Sequence, residues 1–284
     1  MAGSLLKYFN NSHPAAHARA TEAYSRLIAH ATEEHGLLIA AAGAEDLVRR
    51  EGFRFMFRTP QALDEAVQRA DALQSRFGVR YHAENPAQLA QAEPALRQAM
   101  AGAVHWLDPW AVNDPGALVQ RYADLFVARG GRVLVGDAAS LHSEGTGWSV
   151  HTTQGQVQAE QVVLALGPWA DGALRTLGYR FPLFIKRGYH QHYQTDAVLN
   201  QPLLDAERGY VLAPMQRGLR LTTGAEFAPI DAPPTPVQLA QTEAIARQLL
   251  DLGQPLPEAP WLGARPCTAD MLPVMGPAPR HQGL

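Results

Sequence analysis

The chain has almost no cysteine, no long apolar run, no excess of positive charge and no phosphate-binding glycine fingerprint, and each shortage excludes something. Cys267 stands alone, so an internal disulfide, a CxxC redox pair and a cysteine-rich zinc site are all ruled out, and a reducing, cytoplasmic setting is expected. The longest strongly apolar stretch, Leu37–Ala44, falls far short of the roughly 20 residues that a membrane helix needs, and the first residues carry no signal-peptide pattern. No membrane span is therefore expected. A formal charge of -3 and a pI near 6.4 leave no broad positive field to neutralise phosphates, so nucleic acid is not an expected partner. A dinucleotide fingerprint requires GxGxxG directly after a strand and opening a helix, because its glycines let the backbone approach a pyrophosphate. The nearest match, Gly145 to Val150, runs into a strand-like segment and reads as a hairpin turn. What remains is an ordinary globular composition of 284 residues, 46% apolar and 18% charged, enough for one large domain or two ordinary ones.

Apolar residues at helical spacing predict one amphipathic helix from Ser12 to Gly36, with Ser12 as cap and Gly36 as stop. Thr59 and Pro60 open a second helix that Gly78 ends, and Asp114 and Pro115 open a third that breaks at Gly130-Gly131. Extended segments are expected at Arg132–Val135, Ala139–His142, Trp148–Thr153 and Gln161–Leu166. A short helix follows from about Pro168 to Leu177. Alternating segments at Leu183–Ile185, Tyr189–Gln194, Gly209–Pro214 and Leu219–Glu226 suggest an antiparallel sheet. Thr235 and Pro236 begin a last helix. The fold class expected is mixed, part of an α/β layer interleaved with an antiparallel α+β module.

Four stretches carry the chemistry. In "QVVLALGPWAD", Gln161 to Asp171, an apolar segment ends in Gly167 and a helix begins at once with Pro168, a turn that presents backbone N–H groups. The others are "KRGYHQHY" from Lys186, "ERGYVLAPM" from Glu207 and "WLGARPCTADMLPVMGPAP" from Trp261. Their order resembles that of D-amino-acid dehydrogenases and the related glycine and sarcosine oxidases of the D-amino-acid oxidase superfamily. The resemblance covers most of the chain and is densest between Val162 and Pro279. Such proteins begin with a βαβ unit bearing GxGxxG and finish with a glycine-rich segment that closes over the flavin; neither pattern occurs here, so the chain reads as truncated at both ends.

The resemblance implies FAD as cofactor, a partial Rossmann-like FAD-binding layer, and oxidation of an amino acid, most naturally a D-amino acid, by hydride transfer from the α-carbon to the flavin. The imino acid formed would hydrolyse to a keto acid and ammonia, with oxygen or a quinone taking the electrons. Residues 1–110 would supply the helical and strand part of the substrate domain, 111–178 a partial FAD domain, 179–260 the substrate sheet and its helix, and 261–284 the start of the return to the FAD domain. By the same resemblance Arg265 would hold the substrate carboxylate, a task suited to its planar fork of donors, with help from the Tyr210 phenol. A loop arginine paired with a local carboxylate and a core tyrosine are the bland alternatives. Gly167, Pro168 and Trp169 would lie near the flavin, as would the Arg187-Gly188 backbone, and Ala139 would lie where relatives carry a larger aliphatic residue against adenine. His190 and His192 would share one face of a strand, but no third ligand stands at suitable spacing, so no metal site is expected. Asp270 reads as a turn residue rather than a base. The competing reading is a redox-inactive fragment acting at most as a binding or interaction module, with apolar sheet edges left exposed.

Overall fold

The computed structural model describes residues 2–235 and 237–284; Pro236, expected to open the last helix, lies outside them. In chain order the elements are α1 (Ala2–Asn11), α2 (Pro14–Ile28), α3 (Ala31–Ala42), β1 (Val48–Arg49), β2 (Phe53–Phe57), α4 (Pro60–Phe77), β3 (Tyr81–Glu84), α5 (Pro86–Ala92), β4 (Gly102–Trp106), β5 (Ala111–Val112) and α6 (Pro115–Ala128). Then come β6 (Gly136–Glu144), β7 (Gly147–Thr152), β8 (Gly155–Ala159), α7 (Ala170–Thr176), β9 (Phe184–Gln194), β10 (Leu203–Asp205), β11 (Tyr210–Met215), β12 (Gly218–Thr222), β13 (Glu226–Phe227), α8 (Val237–Leu249), β14 (Gln254–Pro255) and β15 (Trp261–Cys267).

Local chemistry accounts for most of the helix ends. The Thr59 hydroxyl accepts from the Ala62 N–H, Pro60 needs no N–H partner in the first turn, and Gly78 closes α4 at φ 70°. Asp114 caps α6 in the same way at Ala117. Asn85 and Gln88 cap α5 reciprocally, each side chain accepting from the other's backbone N–H at 2.9 Å. Asn85→Ala is expected to cost about 1 kcal/mol of stability, read as a lower denaturation midpoint.

The helix expected over residues 12–36 is instead broken into parts. Pro14 forces His13 into an extended conformation, φ -66° and ψ 145°, so α1 ends and α2 begins there. Gly36 is not a stop; it lies inside α3, where its bare Cα meets the Trp110 ring, and the left-handed residue that ends the helix is Gly43 at φ 60°.

Ten strands form the main sheet, in the order β13-β9-β12-β11-β10-β2-β4-β3 with β14 and β15 along the other edge of β9. The sheet is antiparallel apart from the β10–β2 pair. It draws strands from residues 53–106 and 184–267 together. Trp261–Cys267 pairs with β9 along its whole length.

One face of the sheet carries Tyr189, Tyr193, Leu203, Tyr210, Leu212, Leu219 and Leu221, packed with Leu239, Ala246, Leu249 and Leu250 of the α8 region and Leu89 of α5. Each leucine among them contributes roughly 1.5–3 kcal/mol on leaving water. On the opposite face α4 covers the β2–β4 end through Phe57, Val104, Ala66 and Ala70. The β9–β15 end of that face is the more open, with Arg265 and Trp261 exposed.

The segments 132–135 and 161–166 form no strand. Neither has a partner strand among the described residues, and Val133, Val135 and Val163 are left 62%, 72% and 86% exposed. The fully apolar run at 162–166 is the pattern of a strand covered on both faces, a condition that the described residues do not meet. The nearby sheet is a separate meander, β6-β7-β8, whose β6–β7 turn is the expected hairpin at Gly145, φ 60°.

Candidate active site

Strand β9 organises the site because it is long enough, at 11 residues, to hold two strands on each edge. Side chains alternate along it, so Ile185, Arg187, Tyr189 and Tyr193 face α8 while Lys186, Gly188, His190 and His192 face the open side. Direct antiparallel partners share a face, which places Gly263 and Arg265 of β15 and Arg220 and Thr222 of β12 on that open side as well.

Arg265 is exposed, and its guanidinium folds back over Gly188. A Cβ at Gly188 would stand 2.9 Å from both terminal nitrogens of Arg265. Among the described residues no carboxylate pairs with this guanidinium, so the loop ion pair considered from the sequence is not formed. A planar donor fork held over a glycine, with its polar edge free, is suited to a carboxylate. Gly188→Ala would push the far end of a flexible side chain aside, costing at most about 1 kcal/mol of stability. It should weaken carboxylate binding several-fold, which titration beside an unfolding curve would separate.

Tyr210 does not join Arg265. It is 1% exposed and lies on the α8 face, within the core. Its hydroxyl is buried without a hydrogen-bond partner. Burial, first, and the nearby Asp205 carboxylate push the phenol above its ordinary range, against the pull of Arg58. A clamp made of both residues is thus not formed, because the register puts them on opposite faces of the sheet.

The Arg187 side chain is likewise turned away. It is 1% exposed, with Nε and Nη2 donating to Glu226 at 3.0 and 2.8 Å and Nη2 also donating to the Pro233 carbonyl at 3.1 Å. Only its backbone belongs to the Gly188 side. Glu226 also accepts from Tyr189, and its carboxyl is held low by the Thr235 hydroxyl, then by Tyr189 and Arg187.

A cleft of ≈ 1620 Å³ opens beside the sheet, lined by 161–165, Gly167, 178–181, 266–268 and 271–280. Gly167 and Cys267 line it, and Pro168 and Trp169 form with Gly167 a 3₁₀ turn at its rim, with Trp169 69% exposed. Gly167 has φ 56° and nothing within 4 Å of the position a Cβ would take, so a flat ligand could approach its backbone closely. Ala139 is exposed in β6 and is not among the residues lining this cleft. Asp270 accepts from the Leu272 N–H at 3.1 Å, as a turn residue would. The described residues contain no group of three or more His, Cys, Asp or Glu side chains able to hold a metal ion, and no helix among them is long and apolar enough to cross a membrane.

Arg220 and Trp261, which the sequence did not single out, stand on the open face with His190 and His192. The signal was present in the alternation of β9 and β12, but the cross-strand register was needed to read it.

The site thus combines a sheet with one helix-packed face, an arginine poised over glycine on the other face and a large apolar cleft alongside. The chain belongs to the FAD dependent oxidoreductase family, whose model matches residues 7–284. It is 30% identical over 297 residues to a D-amino acid dehydrogenase of Cereibacter sphaeroides (strain ATCC 17029 / ATH 2.4.9), an alignment covering 97% of this chain and 65% of that protein. A D-amino acid dehydrogenase of Xylella fastidiosa (strain M12) is 29% identical, over 91% of this chain and 61% of its own length. The chain therefore spans a little under two thirds of these curated relatives. Among solved structures, glycine oxidase from Geobacillus kaustophilus superimposes with a TM-score of 0.73 at 22% identity, covering 96% of this chain and 73% of that one. L-proline dehydrogenase from P.horikoshii gives 0.67 at 19% identity, covering 93% and 71%. At these identities the structural likeness establishes the fold, a mixed α/β one.

Proposed function

We propose that this chain carries the substrate side, and one wall of the flavin side, of an FAD-dependent dehydrogenase or oxidase that acts on the C–N bond of an amino acid, a D-amino acid in keeping with its curated relatives. The observation that carries the reading is the unpaired Arg265 guanidinium over Gly188, on the face of β9 that β15 continues into the cleft at Cys267. Arg265 binds the substrate carboxylate and so fixes one end of the molecule. Gly188 leaves the room above the strand that the guanidinium itself occupies. The apolar wall from Val163 to Gly167 and from Met271 to Gly276, with its open backbone at Gly167, fits one side of a long, partly planar cofactor. When bound, FAD supplies the acceptor for the hydride leaving the α-carbon. The protein's share is orientation, which turns a chance encounter into a fixed approach. Tyr210 has no part in the clamp, and dioxygen or a quinone takes the electrons in the end.

A second reading, a folded but redox-inactive binding module, draws on the exposure of Val133, Val135 and Val163. One experiment decides between them. The chain is incubated with FAD, freed of unbound flavin, and its visible absorption recorded before and after anaerobic addition of D-amino acids. A retained flavin band that bleaches supports the enzyme. Absence of retained flavin rejects catalysis by this chain and leaves the binding module. If the band is retained and bleaches, hydrogen peroxide formation on admitting air identifies oxygen as acceptor, and its absence favours a quinone.

A further inference from the structure

Beyond Gly188 on the open face, His190 and His192 of β9 converge with Arg220 of β12, with no anion among them. Arg220 lies directly opposite His192, and Thr222 opposite His190. The two imidazoles meet edge to face at 5.3 Å, and His190 stacks on Trp261 at 4.7 Å with the rings 20° apart. Arg220 is half-buried, and its Nε is fully buried without a hydrogen-bond partner. Other sheltered arginines of this sheet are matched: Arg54 by Glu84 and Glu93, Arg58 by Asp205 and Arg187 by Glu226. Arg220 has no such carboxylate among the described residues, and burial alone lowers its pKa. The acidic groups nearby face His192 and are already used, Glu258 by Arg217 and Asp114 by the first turn of α6.

The Nε of Arg220 is withdrawn from water without a partner while its terminal nitrogens are not, so an anion can reach those nitrogens and offset the cost of the partly buried charge. Burial, then Arg220, then His192 push His190 down to about 4, and burial and Arg220 lower His192 too. At neutral pH both imidazoles are therefore uncharged, each with one N–H to offer, and the positive charge of the cluster is concentrated on Arg220.

We propose that Arg220, His190 and His192 form a second carboxylate subsite on the Arg265 face, so that the substrate is an amino acid with an acidic side chain. The inference rests on the reading of Arg265 as clamp for the α-carboxylate. Same-face neighbours on a strand are about 7 Å apart, so an Arg265 fork above Gly188 and a donor set beginning at His190 are spaced for the two ends of one dicarboxylic amino acid. Val211 and Ala213, opposite Thr222 and Arg220, floor the same face.

Glutarate and butyrate test this without turnover, since neither carries an amine to oxidise. Calorimetric titration of the chain should give glutarate at least about 10-fold tighter than butyrate at pH 7, the effect of one hydrogen-bonded charge pair in a partly desolvated site. Arg220→Gln should bring glutarate to the butyrate level, and Arg265→Ala should weaken both ligands. Equal affinities in the unaltered protein overturn the proposal without any variant, as does a glutarate preference that survives Arg220→Gln or an absence of glutarate binding. Butyrate binding that depends on Arg265 without any glutarate preference leaves the clamp standing and removes the subsite. Glutarate binding that depends on Arg220 but ignores Arg265 keeps the second anion site and removes the clamp.

Discussion

Replacing Arg54 by methionine lowers the stability of the fold by about 3–5 kcal/mol, the cost of removing one member of a buried ion cluster and leaving the rest uncompensated. Arg54 donates to Glu84 at 3.1 and 2.9 Å and to Glu93 at 2.7 Å. The side chains of the three are only 8%, 6% and 0% exposed. Glu93 also accepts from the Asn200 and Gln201 N–H groups at 2.8 and 3.1 Å, which ties the loop before β10 to the end of α5. Methionine keeps the packing volume, so the loss reports charge rather than a cavity. Burial already raises the Glu93 carboxyl above its ordinary 4.5 in spite of Arg54 and the two backbone donors. The sign of the pH effect follows from that direction. Between 4.5 and the raised value the folded protein binds more protons than the unfolded chain, so this group's contribution falls as pH rises through that window. Without Arg54 the window widens upward, and the deficit of Arg54→Met should be largest near neutral pH and shrink on acidification towards 5. Urea unfolding at pH 5 and pH 7 measures it; equal deficits at both would show that the carboxylates are not the source.

Truncating Arg265 to alanine should reduce kcat/KM for an amino acid by about 100-fold in flavin-loaded protein, the value of a charge-assisted two-point contact in a site shielded from water. Arg265→Lys should recover only part of it, because an ammonium keeps the charge but not the fork. The guanidinium is exposed and unpaired in the free protein, so the melting temperature should hardly move. This separates Arg265 from Arg187, whose truncation would strand Glu226 beneath the sheet. If Arg265→Ala and Arg187→Ala prove alike, with activity falling only as far as stability does, the carboxylate clamp is wrong. Tyr210→Phe offers the complementary control: it removes a buried hydroxyl that lies beside Asp205 and Arg58 without a well-formed hydrogen bond, and stability should change by less than about 1 kcal/mol.

The sequence by itself determined the features that depend on near neighbours. Thr59 with Pro60, Asn85 with Gln88 and Asp114 with Pro115 specify helix starts through bonds that close within one turn. The alternation from Tyr189 to Gln194 specifies a strand with two unlike faces, and only the structure joins it to Leu183–Ile185 as one strand. The order of the motifs from Gln161 to Pro279 pointed to the family and to Arg265. Only the tertiary structure decided which of those faces meet. Tyr210 and Arg265 stand on different strands, and whether they share a side depends on the pairing of β11, β12, β9 and β15, where a shift of one residue would invert every side chain. The same register turned Arg187 under the sheet onto Glu226 and brought Arg220 across to His190 and His192 from nearly 30 positions away. Gly36 continued its helix because Trp110, remote in sequence, packs on it, and 161–166 formed no strand because a strand exists only where a partner satisfies its backbone.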